Sequence, residues 1–317
     1  MHRRMTERVQ SWSTKWDAED TEAQPAGRAR WSSRRPAGGM RGSADRTRWS
    51  AVRSWVALGA AAALVVFTQF AGGVAPTSAD WVLRPSMPLA ADADAPRPSR
   101  QAAESPEPLG VPVITAAGGP HDFALRQPYS DDPVAYDPCR TIRYVVNERT
   151  MPPGAQMLVR DAVETVGKAT GLRFVFEGAT DEVVVAQRSP FQHDRYGDRW
   201  APVLIAWSDP TELPDLAGDV AGLGGSRAVL PARDGPAVYV TGLVALDGPQ
   251  IRDMYRSVGG RLAAKGVVLH ELGHLVGLGH VDDPSQLMHG SSGTVDLQPG
   301  DLEGLARLGG GACLPLL

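Results

Sequence analysis

Residues 270 to 280 read HELGHLVGLGH, and this stretch limits what the chain can fold into more tightly than any other. It holds three of the seven histidines, one glutamate and three glycines. His270 and His274 are four apart, so on an α-helix their side chains share one face, one turn apart. Two imidazoles so placed can bind one metal ion from the same side. His280 joins them only if the helix stops first; in a continuous helix it would lie ~9 Å beyond His274 along the axis, on another face. Gly277 supplies the stop, because glycine adopts the left-handed backbone that ends a helix and reverses the chain. The eleven residues therefore demand a helix, a sharp turn at 277, and a third ligand returning from below. Glu271, beside the first histidine, can accept a proton from a water held by the ion. Zinc is the expected occupant, since catalytic zinc takes three protein ligands and keeps a fourth position open. Three imidazoles also accept other transition metals.

HELGHLVGLGH resembles the H-E-x-x-H-x-x-G-x-x-H signature of the metzincin metallopeptidases. The VDDPSQLMHG that follows places Met288 eight residues after His280, similar to the methionine turn of the matrixin branch. The resemblance implies that Met288 forms an apolar floor beneath the ligands without binding the ion. It implies an α+β fold with a twisted, mostly parallel sheet, an antiparallel edge strand, an active-site helix and a C-terminal helix. It also implies a zinc endopeptidase in which His270, His274 and His280 hold one catalytic ion and Glu271 is the general base. Where matrixins usually carry Ser or Thr after the third histidine, this chain has Val281; Gly290 stands where they often have proline and where astacin-like enzymes have tyrosine. The histidine set of a second, structural zinc is missing, and nothing in the sequence supports calcium. No cysteine precedes Cys139, and DPCR does not match the matrixin PRCG-type latency motif. His193 reads as a surface residue, His289 as structural.

Charge divides the chain. Before residue 54 stand twelve basic and six acidic residues, a net of +6, so the overall −4 leaves −10 for the rest. The break falls at WVALGAAAALVVFTQFAGGVA, Trp55 to Ala75. A basic flank before an apolar run keeps the amino end in the cytoplasm and sends the following domain outward. Residues 54–79 read either as a signal peptide, cleaved near Thr77-Ser78-Ala79, or as an uncleaved anchor, since about twenty apolar residues span a bilayer. Residues 1–53 lack apolar periodicity and read as a basic disordered region. Met40 is an alternative start that gives a conventional signal peptide. The leader's arginines read as topology signals, so no nucleic-acid partner is expected. Membrane contact is expected only if the apolar segment is uncleaved.

Residues 80–135, rich in Pro, Ala and Asp, read as a linker or pro-segment. The domain itself is expected at 136–317. Cys139 and Cys313, the only cysteines, bracket it. In an exported protein they most simply form a disulfide, the alternative being two buried thiols. TIRYVVN (141–147), LRFVFEG (172–178) and PVLIAWSD (202–209) read as strands. Val159, Ala162, Val163 and Val166 recur at helical spacing before Gly171. By resemblance, 221–246 supplies a loop and an edge strand, with Ala237 to Val244 pairing an extended substrate. Asp253 to Val276 contains the site helix, with Gly259-Gly260 as an interruption, and 301–310 a terminal helix. The expected partner is a protein or peptide substrate, and the expected state a monomer. The rival reading is an exported zinc-containing binding domain that is non-catalytic or latent.

Overall fold

Near-continuous apolar runs mark strands buried on both faces, and these build the centre of the molecule. A computed structural model describes residues 96–113, 116, 118–185, 187–231, 235–291 and 293–317. The basic leader, the apolar segment and residues 80–95 lie outside the described residues. Among the described residues no helix is long and apolar enough to cross a membrane. The elements are β1 (Ala135–Tyr136), β2 (Ile142–Asn147), α1 (Gln156–Thr170), β3 (Phe174–Ala179), α2 (His193–Tyr196), β4 (Val203–Ser208), β5 (Gly222–Val229), β6 (Val238–Asp247), α3 (Gly248–Met254), α4 (Gly260–Val276) and α5 (Pro299–Leu308).

The sheet runs β1-β6-β4-β2-β3, with β5 also paired to β6. Every pairing is parallel except that of β5 with β6. The architecture is α+β with a mostly parallel sheet. The run 221–246 divides between two strands, which corrects one expectation. Val238–Asp247 is not the free edge: it pairs with β4 and β1 as well as with β5. The open antiparallel edge is β5, Gly222–Val229, whose described pairings all go to β6.

α1 buries Val159, Ala162, Val163, Val166 and Ala169, and ends at Gly171 in the left-handed conformation. These side chains join Leu269, Leu272, Leu275 and Val276 of α4, and Leu305 and Leu308 of α5, in the larger core. On the other face Leu204, Ala206, Leu223, Leu243 and Ala245 form a second core, covered by Val184, Leu213 and Leu216 from the long connections around β4. Cys139 and Cys313 form a disulfide.

The segment expected as a linker or pro-segment is anchored to the domain at several points of its described length. Gln101 and Ala103 donate backbone hydrogen bonds to Leu317 and Pro315. Phe123 and Val134 are buried in the main core. The packed structure thus begins upstream of residue 136, because a few apolar residues at the right positions anchor a chain whose overall composition is polar and Pro-rich.

Candidate metal centre

α4 carries His270 and His274 and ends at Val276. Gly277 follows with φ +123°, and its N–H and that of Leu278 close the last turn on Gly273 O. A side chain at 277 would suffer both that backbone angle and contact with Leu308 Cδ2 at 2.9 Å. The reversed chain is held from outside: Ala124 N donates to Gly277 O at 2.9 Å, and Gly279 N donates to Asp122 O at 2.8 Å. Three residues after the turn, His280 meets the first two histidines. The Nε2 atoms form a nearly equilateral triangle, 3.0 Å between His270 and His274, 3.0 Å between His274 and His280, and 3.1 Å between His270 and His280.

What lies behind the rings decides what the triangle can hold. His270 Nδ1 is 2.8 Å from Leu287 O, and His274 Nδ1 is 2.9 Å from Leu278 O. A carbonyl oxygen only accepts, so both Nδ1 atoms carry the proton and both Nε2 atoms present lone pairs. Burial pulls His270 down to about 4 and His274 well below the usual imidazole value, and lowers His280 too. The rings are neutral near pH 7. Two lone pairs 3.0 Å apart cannot hydrogen-bond each other, and a proton on His280 satisfies only one of them. A cation with ~2 Å bonds to imidazole satisfies all three together. The donors present therefore fit a zinc-like ion. Among the described residues, the only other cluster with metal-ligand spacing is Asp137, Cys139 and Cys313, whose sulfurs are spent in the disulfide.

Glu271 is 7 % exposed, and no described residue donates a hydrogen bond to its carboxylate. Burial raises its pKa to about 8, a shift that a neighbouring divalent cation would oppose. The carboxylate lies against β5. A Cβ on Gly222 would sit 2.7 Å from Glu271 Cγ and 3.2 Å from its Oε1, and one on Gly224 would sit 2.2 Å from Glu271 O. Two glycines on the edge strand let the helix touch the sheet at this residue. Ser226, next on the same strand face, donates to Leu275 O at 2.6 Å.

Met288 is buried beneath the helix, its Sδ 2.6 Å from where a Cβ on Gly273 would stand. Its turn is pinned by Asp301, whose carboxylate accepts from Leu287 N (2.8 Å), Met288 N (3.2 Å) and Gln298 N (2.8 Å). Sequence reasoning passed over Asp301; the signal available was an acidic residue three after Gln298 at a Pro-marked helix start, a capping-box spacing. His289 is partly buried and accepts from Ser291 N at 3.3 Å. His193 is exposed on α2.

No family model matches the chain, and no curated protein matches it. Among solved structures the chain is similar to one described as the GM1-bound form of the ECX AB5 holotoxin, at 11 % identity, over 53 % of this chain and 79 % of that chain, with a TM-score of 0.30. A likeness this slight carries no argument about fold or function.

Proposed function

We propose that this chain is an exported zinc-dependent endopeptidase of metzincin, matrixin-like type. The observation that carries the reading is the Nε2 triangle, with two of its three tautomers set by backbone carbonyls, beside a buried carboxylate that has no partner among the described residues. His270, His274 and His280 would hold the ion. A bound zinc supplies Lewis acidity, which acidifies water and polarises a carbonyl. Everything else falls to the chain. Glu271 accepts the proton of the attacking water and passes it to the leaving amine. The low-dielectric wall of β5 around Glu271 keeps the carboxylate basic until the ion and substrate arrive. The open edge of β5 pairs an extended peptide by strand addition, in place of the 237–244 strand inferred from the sequence. Export rests on the basic flank and apolar run of residues 1–79, and the disulfide suits an oxidising compartment.

The rival, a zinc-containing binding domain without catalysis, has no use for a buried carboxylate beside the ligands. Metal analysis and peptide cleavage separate the two. The reading expects about one zinc per chain, loss of peptide hydrolysis on chelation, and its return with added zinc. Glu271→Gln should keep the metal and lose at least ~100-fold in kcat/KM. Equal cleavage by wild type and Glu271→Gln refutes it, as does a purified chain that takes up no zinc.

A further inference from the structure

Arg227 is the half-buried arginine on the open edge strand, and among the described residues no acidic group or hydrogen-bond acceptor pairs with it. Its neighbours explain why. Residues 222, 224 and 226 face α4, through Glu271 and Leu275, and Ala228 is buried in the same core. Alternation puts Arg227 on the opposite face. There it stands across from Thr241 of β6, where β6 spends one extra residue against Arg227 and Ala228. Thr241 Oγ1 accepts from Arg188 Nη1 at 2.9 Å. The carboxylate that reaches this place, Glu182, is saturated: it accepts from Arg188 Nε and Nη2, Gln192 Nε2 and Tyr196 OH. A second positive charge therefore sits on this face with its counter-charge already taken. Burial lowers the Arg227 pKa from the usual guanidinium value, the mark of a cation that no described residue compensates.

We infer that Arg227 selects an acidic side chain in the peptide that pairs with β5, on the amino-terminal side of the cleaved bond. The inference rests on the hydrolase reading above and adds the substrate class. Its position follows from the strand. Glu271 touches β5 at Gly222 and Gly224, so the bond attacked lies opposite them. Antiparallel pairing, the more stable kind per residue, makes the substrate run from Val229 towards Gly222. Arg227 is three residues past Gly224 and five past Gly222, ~10–17 Å at ~3.4 Å each, so its cross-strand partner precedes the cleaved bond by about three to five residues. Directly opposed side chains of an antiparallel pair share one face, which brings a Glu or Asp there to the guanidinium.

The test uses the full chain loaded with zinc and peptides of one sequence, with Glu or Gln at each of the six positions before the cleaved bond. Binding is measured by fluorescence anisotropy on the Glu271→Gln protein, and cleavage on the wild type. A Glu three to five residues before the bond should bind about fivefold tighter than Gln there, with the ratio shrinking as salt rises. In the Glu271→Gln background, Arg227→Gln should bring the ratio to about one, and Arg227→Lys should keep part of it. Equal binding of Glu and Gln at every position overturns the inference, as does a preference that survives Arg227→Gln. The two readings fail separately. Cleavage without acid preference removes Arg227's role and leaves the hydrolase; acid-selective binding without cleavage by the wild type removes the hydrolase and keeps the selective edge. Peptides neither bound nor cleaved refute both.

Discussion

At Asp301 one buried carboxylate accepts from three backbone N–H groups, two belonging to the methionine turn and one to the start of α5. Leu287, whose N–H is held there, turns its carbonyl to His270 Nδ1. The chain Asp301–Leu287–His270 therefore sets the tautomer of a proposed zinc ligand from a residue that never reaches the histidine triangle. Asp301→Ala would strand buried donors at ~1–3 kcal/mol each, so we expect roughly 3–5 kcal/mol of lost stability in denaturant titration. Chelator competition should show about 10–100-fold weaker zinc binding, the usual effect of losing a group that orients a ligand. At Gly277 the cost is conformational. Gly277→Ala must hold φ near +123° and displace Leu308, for about 1–3 kcal/mol of strain and a misplaced His280. Its zinc affinity should fall further than its melting temperature suggests.

Between β3 and β4 the chain crosses the second face of the sheet with little regular structure, and an ion pair organises it. Arg188 and Glu182 have side chains only 5 % and 7 % exposed. Arg188 also donates to Thr241 Oγ1 and Pro202 O, fastening the crossing to β6 and to the entry of β4. Removing one member leaves a buried charge uncompensated, so Arg188→Met should cost roughly 3–5 kcal/mol. It should open residues 180–202 to hydrogen exchange before the rest of the domain. Acid should have the same local effect in the wild type. Burial opposes ionisation of Glu182, but the hydrogen bond and charge of Arg188 outweigh it and lower its pKa below 4.5. The stability from this shift is complete above 4.5 and is lost as pH falls through the lowered value. Protection at 180–202, corrected for the intrinsic pH dependence of exchange, that stays constant as pH falls well below 4.5 would contradict this.

On the scale of the molecule, the described residues from 96 onward wrap the domain and meet its end. Residues 101–103 pair with the C-terminal residues, Arg140 donates to Gln101 O, Ala102 O and Leu314 O, and Cys139–Cys313 closes 174 residues of chain. A loop of that length stabilises by roughly 5 kcal/mol in the chain-entropy model. This is a large share of the ~5–15 kcal/mol typical of a domain. Replacing both cysteines by serine should lower the denaturation midpoint accordingly, while the oxidised wild type should not respond to thiol blockers. A midpoint unchanged by the double substitution would mean that the strap and Arg140 hold the ends without the bridge.

Much of this protein is written in local order. The spacing of His270, His274 and His280 around Gly277 dictates a helix, a reversal and three converging imidazoles, because each step depends only on covalent geometry within eleven residues. The 3.6-residue recurrence of Val159, Ala162, Val163 and Val166 and the apolar run of 203–208 encode their elements in the same way. What local order omits is the identity of partners distant in sequence. The stretch 221–246 reads as a glycine-rich loop followed by an edge strand, and only the pairing in the sheet makes Gly222–Val229 the open edge strand and Val238–Asp247 an interior one. The Pro-rich segment before residue 136 carries a linker's composition, yet Phe123 and Val134 find places in a core they share with α1, α4 and α5. Asp301 and Arg227 are ordinary charges in the sequence. Tertiary structure makes one a buried clamp and leaves the other without a counter-charge among the described residues, since burial and pairing are properties of the neighbours a residue acquires when the chain folds.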